Sequence, residues 1–343
     1  MLRVIVTGFV TLCSFSFFFF SNVALSESKQ RDFVLIGTGS MMGVYYPMGG
    51  GICKFIVAVH DENDSDEKKK LICSTASTAG SVYNLNSMRR GTMDVGVAQS
   101  DIGYYAYKGE NLYNGVPPMK DLRLLAYMHR EYLTLIVKRN SGIKTIDDIK
   151  GKRVNIGAPG TGVRSAMLSL IKTKGWTTKD FLVTSDLKSS EQVQALCDGK
   201  IDVISDFVGH PNAAMQEAVA TCDAVALVLD SGLISQLVEQ YPYYHRGVVP
   251  MGTYMNMRYD IHTISVRASM FATTELSDDM AYLVVKSVAS NLSRLKDVSG
   301  ALRDLTISDL VGGDSQNATG SGAKSAVPLH SGAEKFYRDS GLL

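Results

Sequence analysis

Residues 33–43 read FVLIGTGSMMG, a short apolar strand that runs directly into a glycine-rich turn. The next segment, from residue 44 to residue 60, has helical character. The same order recurs at residues 153–171, RVNIGAPGTGVRSAMLSLI, where the apolar residues after the turn are spaced as one face of a helix. Alternation of strand and helix is typical of α/β domains, so these two units predict an α/β fold with a largely parallel sheet.

Further strands are expected on both sides of these units. A strand rich in β-branched and apolar residues is predicted at residues 261–274, and two consecutive strands are predicted at residues 122–129 and 132–139. Shorter strands are predicted at residues 71–77, 94–101, 153–158, 201–208 and 224–230.

The length and the net charge of the chain limit the classes of protein to which it can belong. A chain of 343 residues suggests about two domains, and 45% hydrophobic with 20% charged residues is ordinary for a globular protein. The formal net charge is +1, so the chain lacks the excess of basic residues with which proteins bind nucleic acid or an anionic membrane. We therefore expect no nucleic-acid partner.

The N-terminus predicts export. Arg3 precedes an almost uncharged run to Phe20, and small residues follow at Ala24 and Ser26. This order is typical of a secretory signal peptide, so we expect residues 1–26 to be cleaved and the mature protein to be periplasmic. An uncleaved membrane anchor is the alternative, because the apolar run approaches the length of a bilayer span.

Export changes the interpretation of the cysteines. Four remain after the signal peptide, at positions 53, 73, 197 and 222, and four cysteines permit three pairings. We expect the local pairs Cys53–Cys73 and Cys197–Cys222, because each would lie within one predicted domain. Their spacing does not fit a metal site, so no metal is expected.

The two glycine turns predict an anion site. Glycine lets backbone N–H groups turn toward a ligand, and the N-terminus of the following helix adds partial positive charge. Ligands of open α/β sheets bind beyond the carboxyl ends of the strands, where a set of polar side chains falls. A cap or turn role is the alternative for each one. The set is Thr38, Ser40, Ser77, Gln99, Ser100, Thr161, Ser165 and Asp206.

No cofactor is expected at either turn. The first turn departs from a dinucleotide fingerprint at Met42, where that motif requires glycine. The second departs from a Walker A loop at Val163, which stands in place of the phosphate-binding lysine.

Five segments in order along almost the whole mature chain resemble the TAXI family, the periplasmic solute receptors of TRAP transporters, which includes a bacterial immunogenic antigen. The segments are GTGSMMGVYYP (37–47), STASTAGSVYN (74–84), DVGVAQSD (94–101), ISDFVGHPNAAMQEA (204–218) and PLHSGAEKFYRDSGL (328–342).

This resemblance implies a type II periplasmic-binding-protein fold, with two α/β lobes, two hinge strands and a cleft that closes on the ligand. We expect residues 27–130 and 262–343 to form lobe 1 and residues 131–261 to form lobe 2. The ligand class implied is a small carboxylate such as glutamate or glutamine. The resemblance adds Tyr45 to the polar set as a cleft residue, and the glycine turns add backbone donors at Gly39, Gly160 and Gly162.

The sequence therefore predicts a receptor, and not an enzyme, that delivers its ligand to the membrane subunits of a TRAP permease and meets the membrane only through them. One alternative is a binding protein that serves a sensor or acts as an antigen without a permease. The other is a secreted serine-type hydrolase, in which Ser77 or Ser165 would be the nucleophile.

Overall fold

The computed structural model describes residues 33–63, 70–255, 257–312 and 327–343, so the predicted signal peptide lies outside the described residues. The strands within them are β1 (Phe33–Gly37), β2 (Ile72–Ala76), β3 (Val95–Gln99), β4 (Leu122–Lys138), β5 (Arg153–Asn155), β6 (Val183–Ser185), β7 (Val203–Val208), β8 (Ala224–Leu227), β9 (His245–Val249) and β10 (Ile261–Thr273). The helices are α1 (Tyr45–Asn63), α2 (Ser81–Arg89), α3 (Ser100–Lys108), α4 (Gly162–Thr173), α5 (Ser189–Cys197), α6 (Ala213–Thr221), α7 (Ser231–Gln240), α8 (Asp278–Ser290), α9 (Leu292–Lys296) and α10 (Ser331–Asp339).

The strands form one sheet in the order β2-β1-β3-β10-β4-β7-β5-β6, with β8 added on β4 and β9 on β10. We call the side that contains β1–β3 lobe 1 and the side that contains β5–β8 lobe 2. β1 runs parallel to β2 and β3, and β5 runs parallel to β6 and β7. The predicted fold class, α/β with two lobes joined by two long strands, is confirmed.

The two long strands, β4 and β10, pass from one lobe to the other. They pair with each other antiparallel, from Ser265 opposite Tyr132 to Thr273 opposite Leu122. The later half of β10 also pairs with β3 of lobe 1, whereas the later half of β4 pairs with β7 and β8 of lobe 2. Each strand is therefore part of both lobes.

One strand prediction is wrong. Residues 122–129 and 132–139 were expected as two strands, but Leu122–Lys138 is a single strand of 17 residues. The charged pair Arg130 and Glu131 does not break it, because Arg130 keeps its register opposite β10 and Glu131 is buried with a tyrosine hydroxyl as its partner.

The helices cover the sheet with apolar faces that the sequence predicts. The stripe on α4 is Val163, Ala166, Met167, Leu170 and Ile171, and all five are buried in the core of lobe 2. Full burial of a Val, Leu, Ile or Met side chain contributes about 1.5–3 kcal/mol, so this one stripe anchors the helix that follows the second glycine turn. Among the described residues, none of the helices has both the length and the apolar character to span a membrane.

Both predicted disulfides are present. Cys53 of α1 joins Cys73 of β2, and Cys197 at the end of α5 joins Cys222 just after α6, with Cα–Cα distances of 5.2 and 5.1 Å. Each bond closes a loop within one lobe, with sequence separations of 20 and 25. On the chain-entropy account, loops of this size contribute roughly 3 kcal/mol each.

A cluster of tyrosines joins the lobes beside α3. Tyr105 of α3 and Tyr243 of lobe 2 have ring centroids 4.8 Å apart, and their hydroxyls are hydrogen-bonded. Asp101, one turn earlier on α3, is fully buried, and neither of its carboxylate oxygens has a hydrogen-bond partner among the described residues. Burial raises the pKa of Asp101 to about 7, and backbone N–H groups at the start of α3 offset only part of this effect.

Asp101→Asn is expected to flatten the dependence of stability on pH. The folded protein keeps the Asp101 proton up to about pH 7, whereas the unfolded chain releases it near the ordinary pKa of 3.8. The free energy of unfolding therefore falls as pH rises toward 7, and from pH 5 to pH 8 this group accounts for roughly 2–3 kcal/mol.

Thermal unfolding at pH 5, 6, 7 and 8 measures this difference. The wild-type protein should lose more stability across the series than Asp101→Asn, while Asp297→Asn, which removes an exposed carboxylate, should follow the wild type. Identical pH profiles for wild type and Asp101→Asn would contradict the assignment.

Candidate functional site

A cavity of about 700 Å³ lies between the two lobes. Lobe 1 supplies the first glycine turn, the residues after β2 and the start of α2. Lobe 2 supplies the second glycine turn, the start of α5 and the end of β7. The two turns, which the sequence predicts to act together, therefore face one shared cavity.

Four helices begin at this cavity. Tyr45 opens α1, Ser81 opens α2, Gly162 opens α4 and Ser189 opens α5, and each of these residues lines the wall. The first N–H groups of a helix have no partner within it, and the helix dipole adds partial positive charge at the same end. The cavity is thus surrounded by donors suited to an anionic group, two helices from each lobe.

The floor of the cavity holds a carboxylate on β4. Glu131 is 2% exposed, and its Oε2 accepts a hydrogen bond of 2.8 Å from the Tyr45 hydroxyl. The His129 Nε2 lies 3.5 Å from the other oxygen, Oε1. Sequence analysis missed Glu131, because an acid inside an apolar run was interpreted as the gap between two strands.

Asp206 is a second carboxylate at the floor of the cavity. It lies near the end of β7, where Oδ2 accepts a hydrogen bond from Gln192 Nε2 at 3.2 Å and Oδ1 accepts one from the Phe207 N–H at 3.0 Å. Burial raises its pKa to about 6, and the charge of Glu131 acts in the same direction. One lysine, Lys188, lines the cavity, and it is exposed at the mouth.

Gln99 bridges the lobes across the cavity. It ends β3 of lobe 1, and its Nε2 donates a hydrogen bond of 3.1 Å to the Phe207 carbonyl of lobe 2. Its Oε1 is buried without a hydrogen-bond partner among the described residues and lies directly against Gly162. A Cβ on Gly162 would stand 1.8 Å from that oxygen, so any side chain at the first position of α4 would force the Gln99 carboxamide to move.

Two more contacts hold the lobes together around the cavity. The Tyr83 N–H donates to the Gly160 carbonyl at 3.3 Å, which links α2 to the second glycine turn. Asn212 Nδ2, at the start of α6, donates to the Met42 carbonyl of the first glycine turn at 3.4 Å. The structure is therefore that of a closed cleft.

Most of the predicted site residues line this cavity. They are Gly39, Ser40, Tyr45, Ser77, Gln99, Thr161, Gly162 and Asp206. Some of their hydroxyls also hold the turns, since Ser77 Oγ donates to the Gly39 carbonyl at 3.0 Å and Thr161 Oγ1 donates to the Ala158 carbonyl at 2.6 Å.

The other predicted residues lie behind the wall. Thr38 is fully buried and donates its hydroxyl to the Ala76 carbonyl at 2.6 Å, and Ser100 Oγ accepts a bond of 3.2 Å from the Arg267 N–H. Gly160 faces Ala79 across the lobe contact, and Ser165 is buried one turn into α4. The sequence pattern predicts that these residues lie near the end of a strand. It does not predict the direction in which their side chains point.

The described residues do not contain the catalytic arrangement that the serine-hydrolase alternative requires. The Ser77 hydroxyl donates to a backbone carbonyl, and the Ser165 hydroxyl has no hydrogen-bond partner there. Neither hydroxyl is therefore paired with a histidine base in that part of the chain. The same residues contain no group of three or more His, Cys, Asp or Glu side chains placed to hold a metal ion.

Known proteins share this architecture. A protein from Bordetella bronchiseptica RB50 is 15% identical with a TM-score of 0.52, over 90% of this chain and 98% of its own. The periplasmic binding protein BugD is 12% identical with a TM-score of 0.50, over 80% and 87%. The aliphatic sulphonate binding protein SsuA from Escherichia coli is 13% identical with a TM-score of 0.43, over 80% of each chain.

At such low identity the two structures with TM-scores of 0.52 and 0.50 show a shared fold alone, and BugD is a periplasmic binding protein. Residues 36–341, nearly all of the chain after the predicted signal peptide, match the NMT1-like family. The chain therefore belongs to the NMT1-like family.

Proposed function

We propose that this protein is a periplasmic solute receptor that captures a small amino acid, glutamate or glutamine in type, and delivers it to a TRAP-type secondary transporter. The observation that carries the proposal is the convergence of four helix N-termini, two from each lobe, on a cavity with two carboxylates. Binding a solute, and not turnover, accounts for this arrangement.

The charges favour a ligand that carries both signs. The helix N-termini would hold its carboxylate, and charge-assisted hydrogen bonds of this kind contribute about 1.5–3 kcal/mol each. Glu131 and Asp206 are both buried acids, so a ligand with negative charge alone would be repelled from the floor. An ammonium group beside them would remove that repulsion, which makes an amino acid a better ligand than a plain dicarboxylate.

Closure would follow from contacts that need both lobes. The hydrogen bond from Gln99 to Phe207 forms only when the cleft is shut. Only then do the N-termini of α4 and α5 in lobe 2 reach a ligand held by lobe 1. A ligand that contacts both lobes shifts the hinge equilibrium toward the closed form. We place lobe 1 at residues 27–130 and 262–343 and lobe 2 at residues 131–261, so that each boundary falls at β4 or β10.

The TAXI resemblance supports the TRAP permease as the partner. Two disulfides fit an oxidising compartment, which agrees with a periplasmic receptor exported by the predicted signal peptide. A receptor that serves a sensor would use the same cleft, and a permease gene beside this one distinguishes the two roles.

A thermal-shift panel of amino acids and dicarboxylates tests the ligand class. L-glutamate or L-glutamine should stabilise the protein, by about 2.7 kcal/mol at a hundredfold excess over Kd. Succinate and 2-oxoglutarate, which lack the ammonium group, should stabilise it less. The proposal fails if no anionic or zwitterionic solute raises the Tm, or if the protein turns over a panel of esters and amides.

Gly162→Ala is expected to weaken ligand binding by about tenfold or more. The new Cβ displaces Gln99 and breaks its bond to Phe207, and one such hydrogen bond contributes about 1 kcal/mol before the displacement is counted. Calorimetric titration measures the change. Gly50→Ala on α1 is the matched control, because a Cβ there meets no atom within 4 Å and should leave affinity unchanged. Equal affinities for both variants would show that Gln99 does not contribute to closure.

Ligand affinity should fall in acid because of Asp206. With a pKa of about 6, this carboxylate is largely neutral at pH 5 and no longer attracts an ammonium group. Affinity should therefore drop roughly tenfold from pH 7 to pH 5 through this residue. Asp206→Asn should bind weakly with a flatter pH profile, whereas Asp297→Asn should keep the wild-type profile. A wild-type profile in Asp206→Asn would contradict this role.

A further inference from the structure

The cavity is larger than a free amino acid requires. Glutamate and glutamine have about ten non-hydrogen atoms, which fill ~300 Å³ even at the ~30 Å³ that a water molecule occupies in the liquid. The cavity measures about 700 Å³, within the range of sites that enclose ligands of drug size.

An open cleft does not explain this volume. The lobes already touch through Gln99 and Phe207, through Tyr83 and Gly160, and through Met42 and Asn212. The additional space is therefore present while these lobe contacts are formed, in a cavity that is open at its mouth.

Polar and apolar side chains lie at different depths. The carboxylates and the carboxamide are deep, with Glu131 2%, Gln99 2% and Asp206 6% exposed. At the mouth lie two large apolar side chains of lobe 1, Met41 at 69% and Tyr83 at 47% exposed. The carboxylates thus lie deep, and Met41 and Tyr83 stand at a mouth that also carries the exposed polar residues Ser77, Lys188 and Ser190.

The backbone at or beside both rim residues, Met41 and Tyr83, takes part in the lobe contacts. Tyr83 is fixed through its backbone N–H on Gly160, and Met41 precedes Met42, whose carbonyl accepts from Asn212. Both residues therefore flank the mouth at the seam of the closed cleft. Large apolar side chains exposed beside a binding cavity mark a surface that a ligand covers.

We propose that the ligand is a γ-substituted glutamine, an amino acid head that carries an apolar aryl or alkyl group on its side-chain amide. The inference rests on the proposed function. The head lies at the floor with Glu131 and Asp206, and the substituent extends to the mouth, where it packs between Met41 and Tyr83. Burial of the substituent adds affinity that the head alone does not provide.

Calorimetric titration with three probes tests the proposal. The probes are L-glutamine, L-glutamic acid γ-anilide and acetanilide, which represent the head, the head with an aryl group, and the aryl amide without the head. The γ-anilide should bind at least tenfold more tightly than L-glutamine, and acetanilide should not bind measurably.

Variants locate the substituent. Tyr83→Ala and Met41→Ala should each reduce the ratio of the γ-anilide affinity to the L-glutamine affinity severalfold, because any effect on cleft closure that both ligands share cancels in that ratio. Met251→Ala is the matched control, because Met251 is a comparably exposed methionine, at 62%, that does not line the cavity.

The outcomes separate this inference from the proposed function. If L-glutamine binds and the γ-anilide binds no better, the extended ligand is wrong and the amino acid receptor stands. If the γ-anilide keeps its full advantage in both rim variants, the substituent does not lie at the mouth and the inference is overturned. If neither the head nor the γ-anilide binds, the proposed function fails with it.

Discussion

The antiparallel pairing of β4 with β10, which runs from one lobe to the other through two register shifts, is the constraint on which the site depends. Both strands belong to both lobes, so they fix the two α/β units in one sheet while each unit keeps its own core. Because the units lie on either side of this pair, the glycine turns at their strand ends meet at one cavity. If β4 ended at Arg130 or Glu131, as the sequence suggests, the two glycine turns would not be attached to the same strand pair. Their positions relative to each other would then not be fixed.

The charges of the cavity arise from different levels of structure. Partial positive charge comes from the backbone, through four helix N-termini, and requires no arginine. Negative charge comes from two side chains, Glu131 on a hinge strand and Asp206 on β7. The first source is spread around the wall and the second is confined to the floor. This separation would give the proposed amino acid ligand one preferred orientation.

The features that follow local rules could be predicted from the sequence. The glycine turns and the apolar stripe of α4 follow from residue spacing, and both disulfides follow from pairing cysteines within one predicted domain; the structure contains all of them. Side-chain direction does not follow from spacing. Thr38 and Ser100 lie at strand ends but bond to backbone groups behind the wall, while Glu131 interrupts no strand and faces the cavity. A buried acid has the same sequence signature as a turn, so only the tertiary structure identifies it.

The position of Glu131 on a strand shared by both lobes has a kinetic consequence for the proposed receptor. An ammonium group beside it is held in the open form and in the closed form alike, because β4 does not leave either lobe. The rate at which the ligand reaches Glu131 at the floor of the cavity would then set the association rate. The helix N-termini of lobe 2 and the Gln99 bridge act only after closure, so they would set the residence time of the solute. Substitutions at the floor and at the bridge would thus separate capture from release.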